Sequence, residues 1–218
     1  MQLKKRFLAQ ATHELKTPIA VIKGYSEILH DNMYKDEVER ESYYDKIYKE
    51  ADGLSHLIID VLDYTKIETG NYELILSKIN TKEFIVNMIS QYDDFIKTHN
   101  LTTKIEINIS KEMEKEIDVV RFEQVYKNLI SNAVEHAKSL ITIKVDQIDS
   151  KIKVSIYNDG NQISKEDLPN IFNSFYKTKE KQSGYGLGLA IVKEIVQLHH
   201  GEWRVTNQQV GVEFIIVI

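Results

Sequence analysis

The chain has 218 residues, 42% of them hydrophobic, with a formal charge of −5 and no cysteine. That length holds one large or two small domains, and the apolar content is that of a folded protein rather than a disordered one. The acidic balance excludes a general nucleic-acid binder, which needs clustered Lys and Arg to displace phosphate counterions. The lack of cysteine excludes disulfide scaffolds and thiolate metal sites, and is compatible with a reducing compartment. No run approaches the roughly 18–20 apolar residues of a membrane helix, and the N-terminus lacks a signal peptide's apolar core, so no membrane contact is expected within these residues.

A first helix is expected from near Leu3 to about Asp31. Leu8, Ala11, Leu15, Pro18, Ile22, Tyr25 and Leu29 recur at alternating threes and fours, the a/d seam of a coiled-coil-like helix. Pro18 inside it predicts a kink just after residue 13. Counting from Leu8 as a, His13 falls at f, farthest from the seam, with Glu14 beside it and Thr17 one turn on. A neutral imidazole there can attack an electrophile, while the adjacent carboxylate orients the ring and takes the proton of its other nitrogen. The competing reading is a solvated surface histidine. His30 to Glu39 reads as a turn, and a second helix carries Tyr44, Ile47, Ala51, Leu54, Ile58, Val61 and Thr65 at the same spacing. Two helices with one narrow seam each are expected to complete a four-helix bundle from two chains, hence a homodimer, against the alternative of a monomeric hairpin docked on its own second domain.

Glu68 to Asn80 marks the domain boundary: Thr69-Gly70-Asn71 is a break, and Tyr72 to Leu76 alternates like a short strand. Thr81 is a candidate helix cap, followed by the helical face Phe84, Ile85, Met88, Ile89, Tyr92 and Ile96. Period-two alternation over Leu101–Ile109, Ile141–Val145, Ile152–Ile156, Trp203–Thr206 and Val212–Ile218 predicts strands. Mixed with helices, they predict an α/β two-layer sandwich with three helices on one face of a mixed sheet. His199-His200 is expected to end a helix before a C′ glycine, Gly201.

Three stretches in this part point to a nucleotide. Asn128 and Asn132 lie four apart on an amphipathic helix, so both amides share a face, and amide oxygens with phosphate oxygens suit Mg²⁺; a capping or core-polar pair is the alternative. Tyr157 to Ile163 places Gly160 beside short polar side chains at a strand end, where they can read an adenine amine, or else form an ordinary N-D-G turn. Gly184-Tyr-Gly186-Leu187-Gly188-Leu opens a helix whose amides and dipole face a phosphate. Ahead of it, the polar run Lys177 to Ser183 reads as a cover over the phosphates or as a solvated loop.

The string H-E-L-K-T-P, His13 to Pro18, resembles the phosphoacceptor box of bacterial sensor histidine kinases. The order of the downstream stretches, with Phe172 and Phe175 as F-x-x-F, resembles the N, G1, F and G2 boxes of their ATPase domain, a Bergerat-type ATP site. Together the two cover residues 5–218. The resemblance implies an α plus α/β chain: a dimerisation and histidine-phosphotransfer hairpin at 1–68 and a catalytic ATP-binding domain at 72–218. It implies phosphorylation of His13 from Mg·ATP and relay to an aspartate of a response regulator, with Glu14 as general base and Thr17 orienting water for regulator dephosphorylation. ATP would be held by Asn128, Asn132, His136, Asn158, Asp159, Gly160, Lys177, Gly184, Gly186, Leu187 and Gly188, with Mg²⁺ on Asn132 and Asn128. Because the chain starts almost on top of the histidine box, Met1 is expected to open a truncated form of a longer protein. Its upstream part would carry the sensor, leaving these residues as the cytoplasmic part of a plasma-membrane protein. The N-D-G form and Asn207-x-x-Val-Gly-Val-Glu-Phe214 look like Gram-positive kinases of the vancomycin-resistance type.

Three departures from the pattern stand out. Aligning Gly160 and Ile163 with D-x-G-x-G puts Asn158 at the adenine-reading position, which loses the charge of an aspartate. Gln162 replaces the second glycine, and Glu135-His136 stands where a Lys-Tyr pair is common, so Lys138 or Lys177 would supply the phosphate contact. A regulator phosphatase with vestigial kinase activity, and a non-catalytic dimeric scaffold, are the rival readings.

Overall fold

The computed structural model describes residues 2–178 and 184–218. Two long helices, α1 (Gln2–His30) and α2 (Glu37–Glu68), form an N-terminal hairpin. α1 runs unbroken through Pro18, where the missing amide leaves the Glu14 carbonyl without its helical donor. Asp36 caps α2 by accepting the Glu39 amide at 2.8 Å, and the Glu39 carboxylate accepts the Lys35 amide in return at 2.7 Å, so two orphan donors are satisfied at once.

The hairpin departs from the predicted seams. On α1, Phe7 is buried and Leu8 is 55% exposed, because Phe7 stacks on Tyr64 and meets Phe175, with ring centres 5.0 and 5.2 Å away. On α2, Ile47, Leu54, Val61 and Thr65 are half-buried as a seam requires, but Tyr44, Ala51 and Ile58 are exposed. The fully packed residues are instead Leu57, Tyr64 and Ile67. The helix serves two neighbours, α1 and the second domain, so its apolar positions divide between two faces. A third strip, Tyr44, Tyr48, Ile58 and Leu62, remains open to solvent.

Residues 71–76 are not the predicted strand: Tyr72 Oη and the Ile75 amide both donate to Asp118 at 3.0 Å, which takes this segment out of any ladder. The second domain begins with β1 (Ser77–Asn80), which pairs antiparallel with β3 (Glu114–Ile117). Between them lie α3 (Thr81–Thr98) and β2 (Thr102–Asn108). Asn80 rather than Thr81 caps α3, its side chain accepting the Glu83 amide at 3.0 Å. The chain continues through α4 (Val119–His136), β4 (Leu140–Ile148), β5 (Lys151–Asn158), α5 (Gly188–Leu198), β6 (Glu202–Asn207) and β7 (Val212–Val217).

The main sheet runs β2-β4-β5-β7-β6, with β2 parallel to β4 and the other pairs antiparallel. Alternation puts Ile141, Ile143 and Val145 of β4, Ile152, Val154 and Ile156 of β5, and Val212, Phe214 and Ile216 of β7 on the face covered by the helices, where all are buried. Each such side chain contributes about 1.5–3 kcal/mol by leaving water. The β5 row does not end apolar: its last inward position is Asn158, which is 1% exposed. α5 closes with His200 in the left-handed region, its amide on Gln197 O and that of Gly201 on Val196 O. The left-handed residue is therefore His200, not Gly201. Gly201 is required for a different reason, since a Cβ there would collide with the Val217 carbonyl.

Candidate active site

His13 projects from α1 into solvent with its side chain 81% exposed, and Nδ1 lies 3.9 Å from Glu14 Oε1. The other Glu14 oxygen, Oε2, accepts from Lys177 Nζ at 2.7 Å, so one carboxylate bridges the histidine and the second domain. Thr17 is exposed, its hydroxyl 3.5 Å from the His13 carbonyl. Phe175, two residues before Lys177, adopts a left-handed backbone and turns its ring onto Phe7. Phe172, the other phenylalanine of F-x-x-F, faces inward to Trp203 and Phe214.

The glycine stretch is built against that turn. The Phe175 amide donates to the Gly186 carbonyl at 2.8 Å, and Gly186 has φ of 71° with the Tyr176 carbonyl 2.7 Å from any Cβ. Only glycine fits both constraints. Gly184 is also left-handed, Leu187 is buried, and Gly188 opens α5 with no side-chain cap on its first amides. Residues 179–183 of the predicted cover lie outside the described residues; Lys177 is described, and its partner is Glu14.

The two asparagines of α4 differ. Asn128 Nδ2 donates to the Gly188 carbonyl at 3.2 Å, tying α4 to the start of α5. Asn132 Oδ1 is buried and has no hydrogen-bond partner among the described residues. An orphaned amide oxygen is the donor type a hard divalent cation takes, so the chain fits Mg²⁺ at Asn132; Asn128 is committed at one end to the helix contact. His136 is exposed at the end of α4, and its carbonyl abuts Gly160 so closely that no Cβ could stand there.

At the end of β5, neighbouring residues have separate fates. Asn158 is buried with Oδ1 accepting the Gly160 amide at 3.1 Å. Asp159 turns away: Oδ1 accepts the amides of Lys138 and Ser139, at 2.8 and 3.0 Å, and Oδ2 accepts the Ser139 hydroxyl at 2.6 Å. Partial burial opposes its charge, but the Ser139 hydroxyl and the amides of Ser139, Leu140 and Lys138 outweigh this and hold the carboxyl well below the usual carboxylate range. Asp159 therefore ties down the loop after α4, and Asn158 is the side chain left on the inward face. The strand end does not open a hairpin, since β5 pairs with β4 and β7 and not with the segment immediately after it.

Sequence reading missed a second contact between hairpin and domain. Arg121 of α4 donates to both oxygens of Asp63 on α2, at 2.6 and 3.2 Å, and Gln124 donates to Asp63 at 3.1 Å. The guanidinium also lies 4.4 Å from the centre of the Tyr72 ring. Tyr185, inside the glycine stretch, reaches α2 at Gly53, where its hydroxyl would lie 3.1 Å from a Cβ. No spacing in the sequence announces these pairs, which lie 58 positions apart in the Arg121–Asp63 case.

Residues 3–70 match the His Kinase A (phospho-acceptor) domain, and residues 117–218 match the histidine kinase-, DNA gyrase B- and HSP90-like ATPase family. Sensor protein KdpD of Clostridium acetobutylicum is 31% identical over 218 residues, covering 96% of this chain and 24% of KdpD. The chain spans less than half the length of the curated relatives it matches. Among solved structures, histidine kinase AdeS of Acinetobacter baumannii superposes with a TM-score of 0.78 at 25% identity, covering 94% of this chain and 96% of AdeS. The catalytic domain of histidine kinase ThkA is 30% identical with a TM-score of 0.60, covering 66% of this chain and 95% of that domain. ThkA in complex with the response regulator protein TrrA gives a TM-score of 0.77 at 27% identity, over 98% of this chain and 60% of that one. With a phosphoacceptor hairpin and an ATPase domain of this type joined in one chain, the protein belongs to the histidine kinase family.

Proposed function

We propose that the chain binds Mg·ATP, phosphorylates His13, and passes the phosphoryl group to an aspartate of a response regulator. The observation that carries this reading is the exposed His13 with Glu14 at 3.9 Å, faced by the domain that holds the glycine stretch and the unpartnered Asn132 oxygen. Glu14 lies nearer Nδ1, so it orients the ring and takes the Nδ1 proton as charge develops, leaving Nε2 to attack. Asn158 lies at the base end of the site, with Gly160 allowing close approach. Gly184, Gly186, Leu187 and Gly188 present backbone amides to the phosphates at the start of α5, and Lys177 and His136 flank them. Asp159 serves the site indirectly through the Lys138–Ser139 loop. Mg²⁺, when bound at Asn132 and beside Asn128, would neutralise phosphate charge.

Residues 1–68 act in this reading as the dimerisation and phosphotransfer unit and 72–218 as the ATP-binding unit. The open strip of Tyr44, Tyr48, Ile58 and Leu62 supports a homodimer, which would cover it in a four-helix bundle. ThkA's complex with a response regulator supports a receiver domain as partner, and Thr17 would orient water for the reverse dephosphorylation. Among the described residues no helix is long and apolar enough to cross a membrane. The relatives named as sensor proteins support a sensory role, with a membrane-bound sensor upstream as part of the same proposal, and the vancomycin-resistance-type likeness supports a place in antibiotic resistance. The test is phosphoryl incorporation from γ-labelled ATP with Mg²⁺, in this chain and in His13→Ala. Acid-labile, alkali-stable label that disappears in the variant is expected; label that persists would overturn the assignment of His13.

A further inference from the structure

Two residues just before the glycine stretch touch α1 on both sides of the histidine. The Phe175 ring packs on Phe7, and Lys177 Nζ reaches Glu14 Oε2 at 2.7 Å. Within the stretch, Tyr185 stands against Gly53 of α2. These contacts are shielded as well as close: Phe175 is buried, and the Lys177 and Glu14 side chains are only 26% and 24% exposed.

The connection between the units is fastened too. Residues 69–76 would span at most about 26–29 Å if fully extended. They are not extended, because Tyr72 and Ile75 are bonded to Asp118 while Arg121 packs on Tyr72 and grips Asp63. For the domain to reach another chain's histidine, the Asp63–Arg121 and Lys177–Glu14 pairs and the Phe7 stack would all have to break. Dimerisation asks for none of this, since the open apolar strip of α2 is a different face from the Leu57, Tyr64 and Ile67 face that packs in the interior.

We infer that each ATP-binding domain phosphorylates the histidine of its own chain, with Lys177 as the positioning residue that sets Glu14 toward His13. This rests on the kinase reading above. In the step, His13 Nε2 forms a bond to the γ-phosphorus, the bond from that phosphorus to the β–γ bridging oxygen breaks, and ADP leaves with the electron pair. The Nδ1 proton passes to Glu14 Oε1. Because Lys177 belongs to the domain and Glu14 to the hairpin, docking and orientation of the base are one event.

Differently tagged chains, co-expressed and purified as heterodimers, test the inference with γ-labelled ATP. Asn132→Ala supplies the nucleotide-dead domain, after its homodimer is found folded by circular dichroism and unlabelled; Gly160→Ala replaces it if label remains. A heterodimer of wild type with a chain carrying both His13→Ala and Asn132→Ala is expected to label at about the wild-type rate per intact chain. A heterodimer of His13→Ala with Asn132→Ala is expected to stay at background. Label on the Asn132→Ala chain of the second, with none on the first, would overturn the inference. An unlabelled wild-type homodimer would instead remove the kinase reading itself.

Discussion

Asp63→Ala removes the counterion of a guanidinium that stays enclosed. The Arg121 and Asp63 side chains are 12% and 16% exposed, three donors converge on the carboxylate, and Arg121 Nε is already buried without a partner among the described residues. Truncating one member of a fully buried pair costs about 3–5 kcal/mol, because the other charge is stranded. Here the Tyr72 ring and Gln124 still face the guanidinium, and residual exposure admits water, which brings the expected cost to about 2–3 kcal/mol. Arg121→Met with Asp63→Ala leaves neither charge behind, so the double variant should recover most of the loss, with a coupling of about 1.5–3 kcal/mol. Urea unfolding of all four proteins measures the cycle. Trp203 fluorescence reports the second domain, which holds the chain's one tryptophan, and ellipticity at 222 nm weights the hairpin. If the two substitutions add to within about 0.5 kcal/mol, the contact does not join the units and the reasoning fails.

Asn158→Asp should tighten ATP binding about 5–20-fold by calorimetry, since a charged acceptor roughly doubles the strength of a hydrogen bond to the adenine amine; unchanged affinity would mean that residue 158 does not meet the base. Gly160→Ala drives a methyl group into the His136 carbonyl and toward Asn158 Oδ1, and is expected to cost about 1–3 kcal/mol in urea unfolding and to abolish measurable nucleotide binding. Asp159 has a folded pKa below its unfolded value, so its contribution is present above about pH 4 and is lost as pH falls toward the folded value. Wild type should therefore lose more stability than Asp159→Asn between about pH 4 and pH 2 in acid titrations followed by circular dichroism, and parallel profiles would refute the hydrogen-bond account.

Legibility in the sequence tracks the range of the interaction. His13 at a solvent-facing position, paired amides on α4 and the glycines before α5 are all set within one or two turns, so spacing sufficed to place them. The β1–β3 pair escaped notice because each strand has four residues, three of them polar, too short a run for alternation to register. Thr81 looked like a cap because Thr often is one; Asn80, one position earlier, won because its amide also donates to the Lys111 carbonyl at 2.7 Å. Asn158 and Asp159 could not be ranked from composition. Their roles come from strand parity, which turns residue 158 inward and leaves residue 159 to the Ser139 loop.

The contacts that join hairpin and domain share a physical character that bears on function. Phe7, Tyr64 and Phe175 provide apolar burial, while Asp63–Arg121 and Glu14–Lys177 provide direction. Charged groups taken partly out of water return little net stability after desolvation, though they strongly penalise a misaligned partner. An interface built this way selects one docking geometry without making separation prohibitive. On the proposed function, that combination suits a domain that seats accurately beside His13 for one step and leaves the exposed histidine open for the next. A wholly apolar interface of the same extent would hold the domain in place and close off the face of α1 that carries His13 and Thr17.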